Sequence, residues 1–213
     1  MEHTKKLIFL LIISIFLFTT TPSYATQFGF DAISANSTVD PAIGEAQLWV
    51  NVTDNGSQQV LFTFGNTGPA ACSITDVYFD GDSLLGIANI INTQGLVQFS
   101  QGANPSNLPG GAPYNFDADF SADSDNPISS MGVNPNESLG IVFNLENSKT
   151  YDNVLADLYS GDLRIGIHVQ AFADGKSESF INEKGNPPVP EPATVLLLGV
   201  GILGLGFISR KKS

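Results

Sequence analysis

Cysteine and histidine are almost missing from this sequence of 213 residues. Cys72 is the single cysteine, so no disulfide can form within the chain and the fold must be stabilised by its core. We expect Cys72 to be a small buried hydrophobic residue, with an exposed thiol for an intermolecular disulfide as the alternative. The histidines are His3 and His168, which with one cysteine are too few for a zinc site of the usual kind.

Positive charge is scarce in the central part of the chain. Only four of the nine basic residues lie between residues 26 and 188, whereas all but two of the 21 Asp and Glu residues do. The net charge of this stretch is therefore about −15. Such a domain repels nucleic acids and anionic lipids, which excludes both as its partners, and it favours divalent cations.

The shortage of histidine also argues against an enzyme. A Ser-His-Asp or Cys-His arrangement needs a histidine beside a nucleophile. His3 lies in a predicted signal peptide, and His168 lies near Arg164, whose positive charge does not help a base. We predict that His168 is a surface residue and that the chain has no catalytic residues. A secreted hydrolase with an opposed pair of carboxylates is the weaker alternative, because the sequence singles out no such pair.

Residues 1–25 have the pattern of a secretory signal peptide. Lys5 and Lys6 precede an apolar stretch at residues 7–18, and small residues lie at the −3 and −1 positions of a cut after Ala25. We predict a signal helix that signal peptidase removes after Ala25. An uncleaved membrane anchor is the alternative.

A second long apolar run, residues 193–209, follows a proline-rich spacer at residues 186–192. Prolines remove backbone donors and fix φ, so the spacer is predicted to be extended. The uncharged run is close to the roughly 20 residues that span a bilayer, which predicts a transmembrane helix. The tail at residues 210–213 is basic and is expected to stay in the cytoplasm through Arg210, Lys211 and Lys212.

The spacer contains Pro190-Glu191-Pro192, directly before the apolar run and the basic tail. This three-part order resembles the PEP-CTERM sorting signal. The resemblance implies that an exosortase, a membrane transpeptidase, recognises and cleaves the tail of a membrane-anchored precursor and passes the protein to the cell surface or outside. It also implies a structural or adhesive role in an exopolysaccharide matrix. An ordinary C-terminal membrane anchor is the alternative.

Short alternating segments and frequent turn residues fill residues 26–185, which we predict to be one exported acidic domain. Period-two alternation predicts strands, and Asn55-Gly56 predicts a hairpin. The predicted strands are residues 28–33, 45–53, 58–64, 73–79, 87–91, 96–99, 114–120, 139–145, 163–171 and 177–181. One helix is predicted from the N-cap Thr150 to Gly161. The pattern is typical of a mainly β fold, an antiparallel β-sandwich of jelly-roll or immunoglobulin-like type with one short helix.

Carboxylates are concentrated in a predicted polar turn at residues 121–127 and just before it. Hard oxygen ligands at alternate positions suit calcium. The standard EF-hand loop is excluded, because Ala122 and Ile128 occupy the positions that need Gly and Glu. An irregular calcium site and a solvated acidic turn are the two hypotheses for the four residues Asp117, Asp119, Asp123 and Asp125.

Three aromatic residues are predicted on exposed strand faces: Trp49, Tyr78 and Tyr114. Aromatic rings pack against the apolar faces of sugars, so a carbohydrate-binding module is the alternative function of the exported domain. Packing at a strand edge or in the core is the alternative role for each ring.

Overall fold

The computed structural model describes residues 25–81, 87–92, 95–146 and 148–185, and its strands form two antiparallel sheets. Sheet A contains, from edge to edge, β1 (Ala25–Phe28), β3 (Leu48–Gly56), β4 (Gln59–Asn66), β9 (Ser138–Asn144) and β6 (Ile87–Ile91). Sheet B contains β2 (Phe30–Ala32), β11 (Glu178–Asn182), β10 (Arg164–Gln170), β5 (Ser73–Asp80), β8 (Phe120–Ser124) and β7 (Phe99–Gln101). The prediction of a mainly β fold built from antiparallel sheets is confirmed.

One apolar core joins the inner faces of the two sheets. The ring of Phe79 in sheet B lies 5.0 Å from Phe62 and 4.8 Å from Phe143 in sheet A, centroid to centroid, in edge-to-face geometry. Each such pair contributes about 0.5–1.5 kcal/mol beyond the burial of its apolar area. This face-to-face packing is the sandwich arrangement that the alternating strands predict.

The hairpin predicted around residue 56 is present as β3 and β4. The strands pair from Leu48 opposite Asn66 to Gly56 opposite Gln59. Ser57 connects the two strands with a positive φ of 50°. Alternate residues of β3 are buried, as the period-two pattern predicts.

The described residues contain three α-helices, not one, and a short 3₁₀ helix. These elements are α1 (Asp40–Gln47), α2 (Ile128–Met131), α3 (Tyr151–Ser160) and the 3₁₀ helix (Ala112–Tyr114). Helix α3 is the predicted one. At its start, Thr150 Oγ1 accepts a hydrogen bond from the backbone amide of Asn153, and the Asn153 side chain accepts one from the backbone amide of Thr150. Gly161 ends the helix with a φ of 84°.

Helix α1 replaces the beginning of the strand predicted at residues 45–53. Pro41 lies in its first turn, where a missing amide proton costs nothing. Gly44 lies so close to sheet B that an added Cβ would be 2.2 Å from Cζ of Phe180. This tight packing comes from tertiary structure, which the alternation of residues 45–53 does not encode.

The single strand predicted at residues 28–33 is wrong. The chain leaves sheet A at Phe28, which pairs with Val50, and enters sheet B at Phe30, which pairs with Asn182. Gly29 lies between them. Both phenylalanines are buried, so the run of aromatic residues reflects two strand ends that share the core.

The region before β8 also differs from its prediction. Residues 114–120 were predicted as a strand, but only Phe120 belongs to one, and the predicted turn at residues 121–127 contains most of β8. Phe116 and Ala118 of this segment pack against the outer face of sheet B, whereas Tyr114 is exposed. β7 begins at Phe99, at the end of the strand predicted at residues 96–99. The strands predicted at 73–79, 87–91, 139–145, 163–171 and 177–181 are present with similar bounds.

Candidate functional site

Residues 102–119, called the strap, lie on the outer face of sheet B. Leu108 and Phe116 of the strap are buried and form a small apolar cluster with Tyr78 of β5. Gly166 of β10 permits this contact, because an added Cβ would lie 2.7 Å from Leu108 Cδ2 and 3.0 Å from Phe116 Cζ. The segment rich in Gly, Asn and Pro is therefore an ordered cover over the sheet.

Arg164 of β10 holds the strap in place. Its Nη1 donates to the Tyr114 carbonyl at 2.7 Å, and its Nη2 donates to the Asn115 carbonyl at 2.6 Å. The same guanidinium forms an ion pair with Asp80 and lies 5.3 Å above the ring of Phe116. One planar cation thus ties the strap to two neighbouring strands, which a lysine cannot reproduce.

A row of polar groups crosses the outer face of sheet B beside the strap. Asp76 of β5 is 3% exposed and lies between His168 and Asp123 in the strand register. The His168 Nδ1 lies 3.1 Å from Asp76 Oδ2, which also accepts from Thr75 Oγ1 at 2.9 Å. Burial, followed by the charge of Asp76, raises the pKa of Asp123 to about 6.

His168 differs from the predicted surface histidine. Its side chain is only 14% exposed because it packs beside Asp76. The carboxylate favours the imidazole tautomer that carries its proton on Nδ1, which leaves Nε2 as the basic nitrogen. In the described part of the chain, no Ser, Thr or Cys side chain hydrogen-bonds the imidazole. Asp76 and His168 are therefore placed like the orienting carboxylate and the base of a catalytic triad, but no nucleophile of the described residues is hydrogen-bonded to the histidine.

A cleft of about 610 Å³ lies between the strap and the edge of sheet B formed by β2 and β11. Ile33 and Ile181 provide apolar lining, and Asp31 and Lys184 are among its polar groups. Tyr114 also lines the cleft and is 47% exposed. Because Arg164 binds its carbonyl, Tyr114 presents its ring from a fixed backbone.

The three predicted sugar-stacking residues do not form one platform. Tyr78 is fully buried and its hydroxyl donates to the Pro105 carbonyl at 3.0 Å, so its prediction as an exposed stacking residue is wrong. Trp49 lies in sheet A over its strand partner Gly65, where an added Cβ would be 2.1 Å from the indole ring. Tyr114 belongs to the strap over sheet B. Trp49 is half-buried and lines a separate cleft of about 420 Å³, whereas Tyr114 is exposed beside its cleft.

The four carboxylates of the predicted calcium site make separate contacts. Asp119 Oδ2 accepts from the Gly81 amide at 2.8 Å, and Asp125 Oδ1 accepts from Ser100 Oγ at 2.9 Å. Asp123 faces Asp76, and Asp117 lies in the strap. Within the described ranges, no three His, Cys, Asp or Glu side chains are arranged to hold a metal ion. The calcium hypothesis for these residues has no geometric support.

Cys72 is buried, as predicted, at 2% exposure. Its Sγ accepts from the Gln47 Nε2 at 2.9 Å. Burial raises the pKa of the thiol, and the contacts with Gln47 and Asn66 oppose this only in part. A buried, protonated thiol does not favour the alternative of an intermolecular disulfide.

The residues predicted to direct sorting lie outside the described residues: Pro190, Glu191, Pro192, Arg210, Lys211 and Lys212. Comparison with models of protein families finds the PEP-CTERM protein-sorting motif at residues 188–212. The chain carries a PEP-CTERM sorting motif. The match spans the Pro-Glu-Pro triplet, the apolar run and the basic cluster, so the resemblance is confirmed. No curated protein and no solved structure gives a significant match to the chain.

The PEP-CTERM motif assigns the protein to an export route. It implies a membrane-anchored precursor that an exosortase-like membrane enzyme processes. Among the residues described by the structure, no helix is long and apolar enough to cross a membrane. The predicted transmembrane run at residues 193–209 lies outside that part, as does the predicted signal peptide up to residue 24. Strand β1 begins at Ala25, after which cleavage is predicted.

Sequence reasoning missed the role of Arg164. The scarcity of basic residues is the feature of the sequence that points to Arg164, because each basic residue of an acidic domain has many carboxylates with which it can pair. In the described residues Lys149 pairs with Asp157 at 3.0 Å, and Lys176 lies 3.9 Å from Asp174. Arg164 has the most contacts of these three.

Proposed function

We propose that the exported domain is a non-enzymatic structural or adhesive component of an extracellular polysaccharide matrix. The sorting motif at residues 188–212 carries the proposal, because it implies delivery beyond the membrane. The contact of His168 with the buried Asp76 supports a structural use of the one histidine in the domain. A sandwich with a strongly negative net charge is well suited to a hydrated matrix, since self-repulsion keeps it soluble.

The first experiment replaces Pro190, Glu191 and Pro192 by alanine in the producing cells. Full-length protein should accumulate in the membrane fraction, and the matrix should lose the protein and disperse under lower shear. Pro187→Ala, in the same spacer but outside the matched motif, is the control and should leave delivery unchanged. If the protein is retained but the matrix keeps its cohesion, the matrix role is wrong although the sorting role stands.

The cleft beside Tyr114 favours a second function, binding of a polysaccharide. An exposed aromatic ring next to polar groups is the arrangement that packs on a sugar ring while its hydroxyls form hydrogen bonds. Here Arg164 holds the backbone of Tyr114 through its carbonyl. An ordered backbone reduces the conformational entropy that is lost when a ligand binds.

Affinity electrophoresis in gels that contain the native exopolysaccharide tests this second function. We expect retardation of the wild type, a loss of about 3–10-fold in affinity for Tyr114→Ala, and retained binding for Tyr114→Phe, which keeps the ring. Trp49→Phe changes the ring on sheet A and should behave as the wild type. Equal mobility of all four proteins with and without polysaccharide would exclude binding at this cleft.

A further inference from the structure

Two segments far apart in sequence meet at one end of sheet B. The first runs from β2 into α1 and contains Ser37 and Asp40. The second joins β10 to β11 and contains Asp174 and Glu178. The Ser37 amide donates to Glu178 Oε1 at 2.7 Å across 141 positions of sequence. The fold, and no local motif, brings these carboxyl groups together.

Glu178 is fully engaged in holding the two segments. Its Oε2 accepts from Ser34 Oγ at 2.5 Å, in addition to the Ser37 amide at Oε1. Asn36 adds two links, since its Nδ2 donates to the Ser177 carbonyl at 2.7 Å and its own carbonyl accepts from Lys176 Nζ at 2.6 Å. Glu178 is therefore a structural carboxylate with partners on both oxygens.

Asp40 has a different environment. It is 1% exposed, and its Oδ2 is buried without a hydrogen-bond partner in the described structure. Its neighbour is the carboxyl group of Asp174. Two ionised carboxylates are both acceptors, so neither satisfies the other. A buried carboxylate in this position needs a cation or a proton between the two groups.

The charges of the cluster agree with this requirement. Asp40, Asp174 and Glu178 bring three negative charges, and Lys176, with Nζ 3.9 Å from Asp174 Oδ2, brings one positive charge. Burial, followed by Asp174, raises the pKa of Asp40, while the amide of Lys176 lowers that of Asp174. Two negative charges remain uncompensated when all groups are ionised, which one divalent cation balances.

We propose that the domain binds one calcium ion between the carboxylates of Asp40 and Asp174. The Ser37 hydroxyl lies next to both carboxyl groups and is an available third oxygen ligand. Asp174 is 35% exposed, so water completes the coordination from the solvent side. Asp40 begins helix α1, whereas Ser37 lies in a bend and Asp174 lies in a turn, so the three oxygen ligands come from elements of different kinds. Such an irregular set suits calcium better than magnesium, which demands near-ideal octahedral geometry.

The proposed site is a weak one of the extracellular type. It has two carboxylates and not three, in agreement with the absence of any three-residue metal cluster from the described residues. We expect a dissociation constant of about 0.1–1 mM, as in extracellular calcium modules. The ion would link the loop before α1 to the segment before β11, and would fill its site only after export.

The test uses the full-length chain purified in detergent. Equilibrium dialysis with ⁴⁵Ca²⁺ should give one saturable site per chain. Thermal unfolding in about 5 mM CaCl₂ should occur about 3–6 °C higher than in EGTA. The same concentration of MgCl₂ should produce less than half of that shift.

Three variants locate the ion. Asp40→Asn and Asp174→Asn should each abolish both the saturable site and the thermal shift. Because Asp174 is partly exposed, its variant folds even if Asp40→Asn does not. Asp125→Asn removes a carboxylate from the acidic run at residues 117–125 and should keep the full calcium response.

Several outcomes would overturn the proposal. A calcium response that Asp174→Asn retains, or one that Asp125→Asn loses, would place the ion elsewhere. No saturable binding would mean that the two carboxyl groups share a proton instead. In that case the wild type should lose stability as the pH rises through the raised pKa of Asp40, irrespective of calcium, because the folded state releases its proton at a higher pH than the unfolded chain.

Discussion

The sorting motif and the sandwich place their important residues in different ways. In the motif, Pro190, Glu191 and Pro192 are consecutive, so a partner enzyme can recognise them within one short segment of the sequence. In the sandwich, the groups that interact come from distant positions, as with Ser37 and Glu178, which are 141 positions apart. Changes in the motif should therefore alter where the protein goes, and changes in the sandwich should alter its stability and binding.

The largest effect on stability is expected in the core. Phe79 is 1% exposed and contacts rings of both sheets, so Phe79→Ala should reduce the free energy of unfolding by about 3–5 kcal/mol. Urea denaturation measures this change. Phe79→Leu, which keeps most of the volume, should cost about 1–2 kcal/mol. The folded fraction of either variant should still be processed at the sorting motif, and loss of processing would contradict the separation of the two regions.

The next effect concerns the strap. Arg164→Ala removes two hydrogen bonds to the strap and leaves Asp80 without its cation, which should cost about 2–4 kcal/mol. Limited proteolysis should then cut within residues 102–119 before it cuts elsewhere. Arg164→Lys keeps the charge but not the planar fork, so it should be intermediate. Uniform cleavage of Arg164→Ala along the chain would show that the strap is held by other contacts.

Replacement of Asp123 is expected to have a smaller effect and to increase the free energy of unfolding. Its pKa in the folded protein is about 6, above the ordinary value of 3.8, so the folded state binds this proton more tightly than the unfolded state. The stability of the wild type should fall as the pH rises from about 4 to 6. Asp123→Asn should raise stability by about 1 kcal/mol or less above pH 6, because solvent screens this partly exposed group.

The control for this measurement is chosen from the groups that surround Asp123. Asp76 lies beside it on β5, and His168 lies on the far side of Asp76. Asp125→Asn removes the same charge two positions away, where the contact is with Ser100, and should give no gain above pH 6. Thermal unfolding between pH 4 and 8 provides the comparison. An equal gain for both variants would mean that net charge, and not the contact with Asp76, sets the effect.

No effect on the stability of the sandwich is expected from the motif itself. The alanine triple variant at residues 190–192 should unfold within about 1 °C of the wild type, since the described core of the sandwich is built from residues between Phe28 and Phe180. A larger shift in the melting temperature would contradict the division between the two regions.

Local patterns explain which parts of the fold were predictable. The hairpin of β3 and β4 and helix α3 follow from alternation, a turn and a capping box, which all act within a few residues. Helix α1 was not predictable, because Gly44 is selected by its contact with Phe180 in another strand. The switch between sheets at Gly29 likewise depends on both sheets being present.

The candidate sites divide in the same way. The Pro-Glu-Pro triplet could be recognised from the sequence because its residues are consecutive. The calcium hypothesis for residues 117–125 depends only on the number of carboxylates in this short segment. In the structure, Asp119 and Asp125 contact different neighbours. Asp40 and Asp174 are isolated in sequence and meet only in the fold. Closeness along the chain is a poor guide to closeness in a β-sandwich, where most contacts are non-local.

Mass spectrometry of the protein recovered from the surface and matrix of the producing cells tests whether both ends of the chain are removed on export. We expect a species that begins at Thr26 and lacks the apolar run and basic tail that follow Pro192. Recovery of the intact polypeptide from the cytosol, with residues 1–25 and 193–213 still attached, would contradict it.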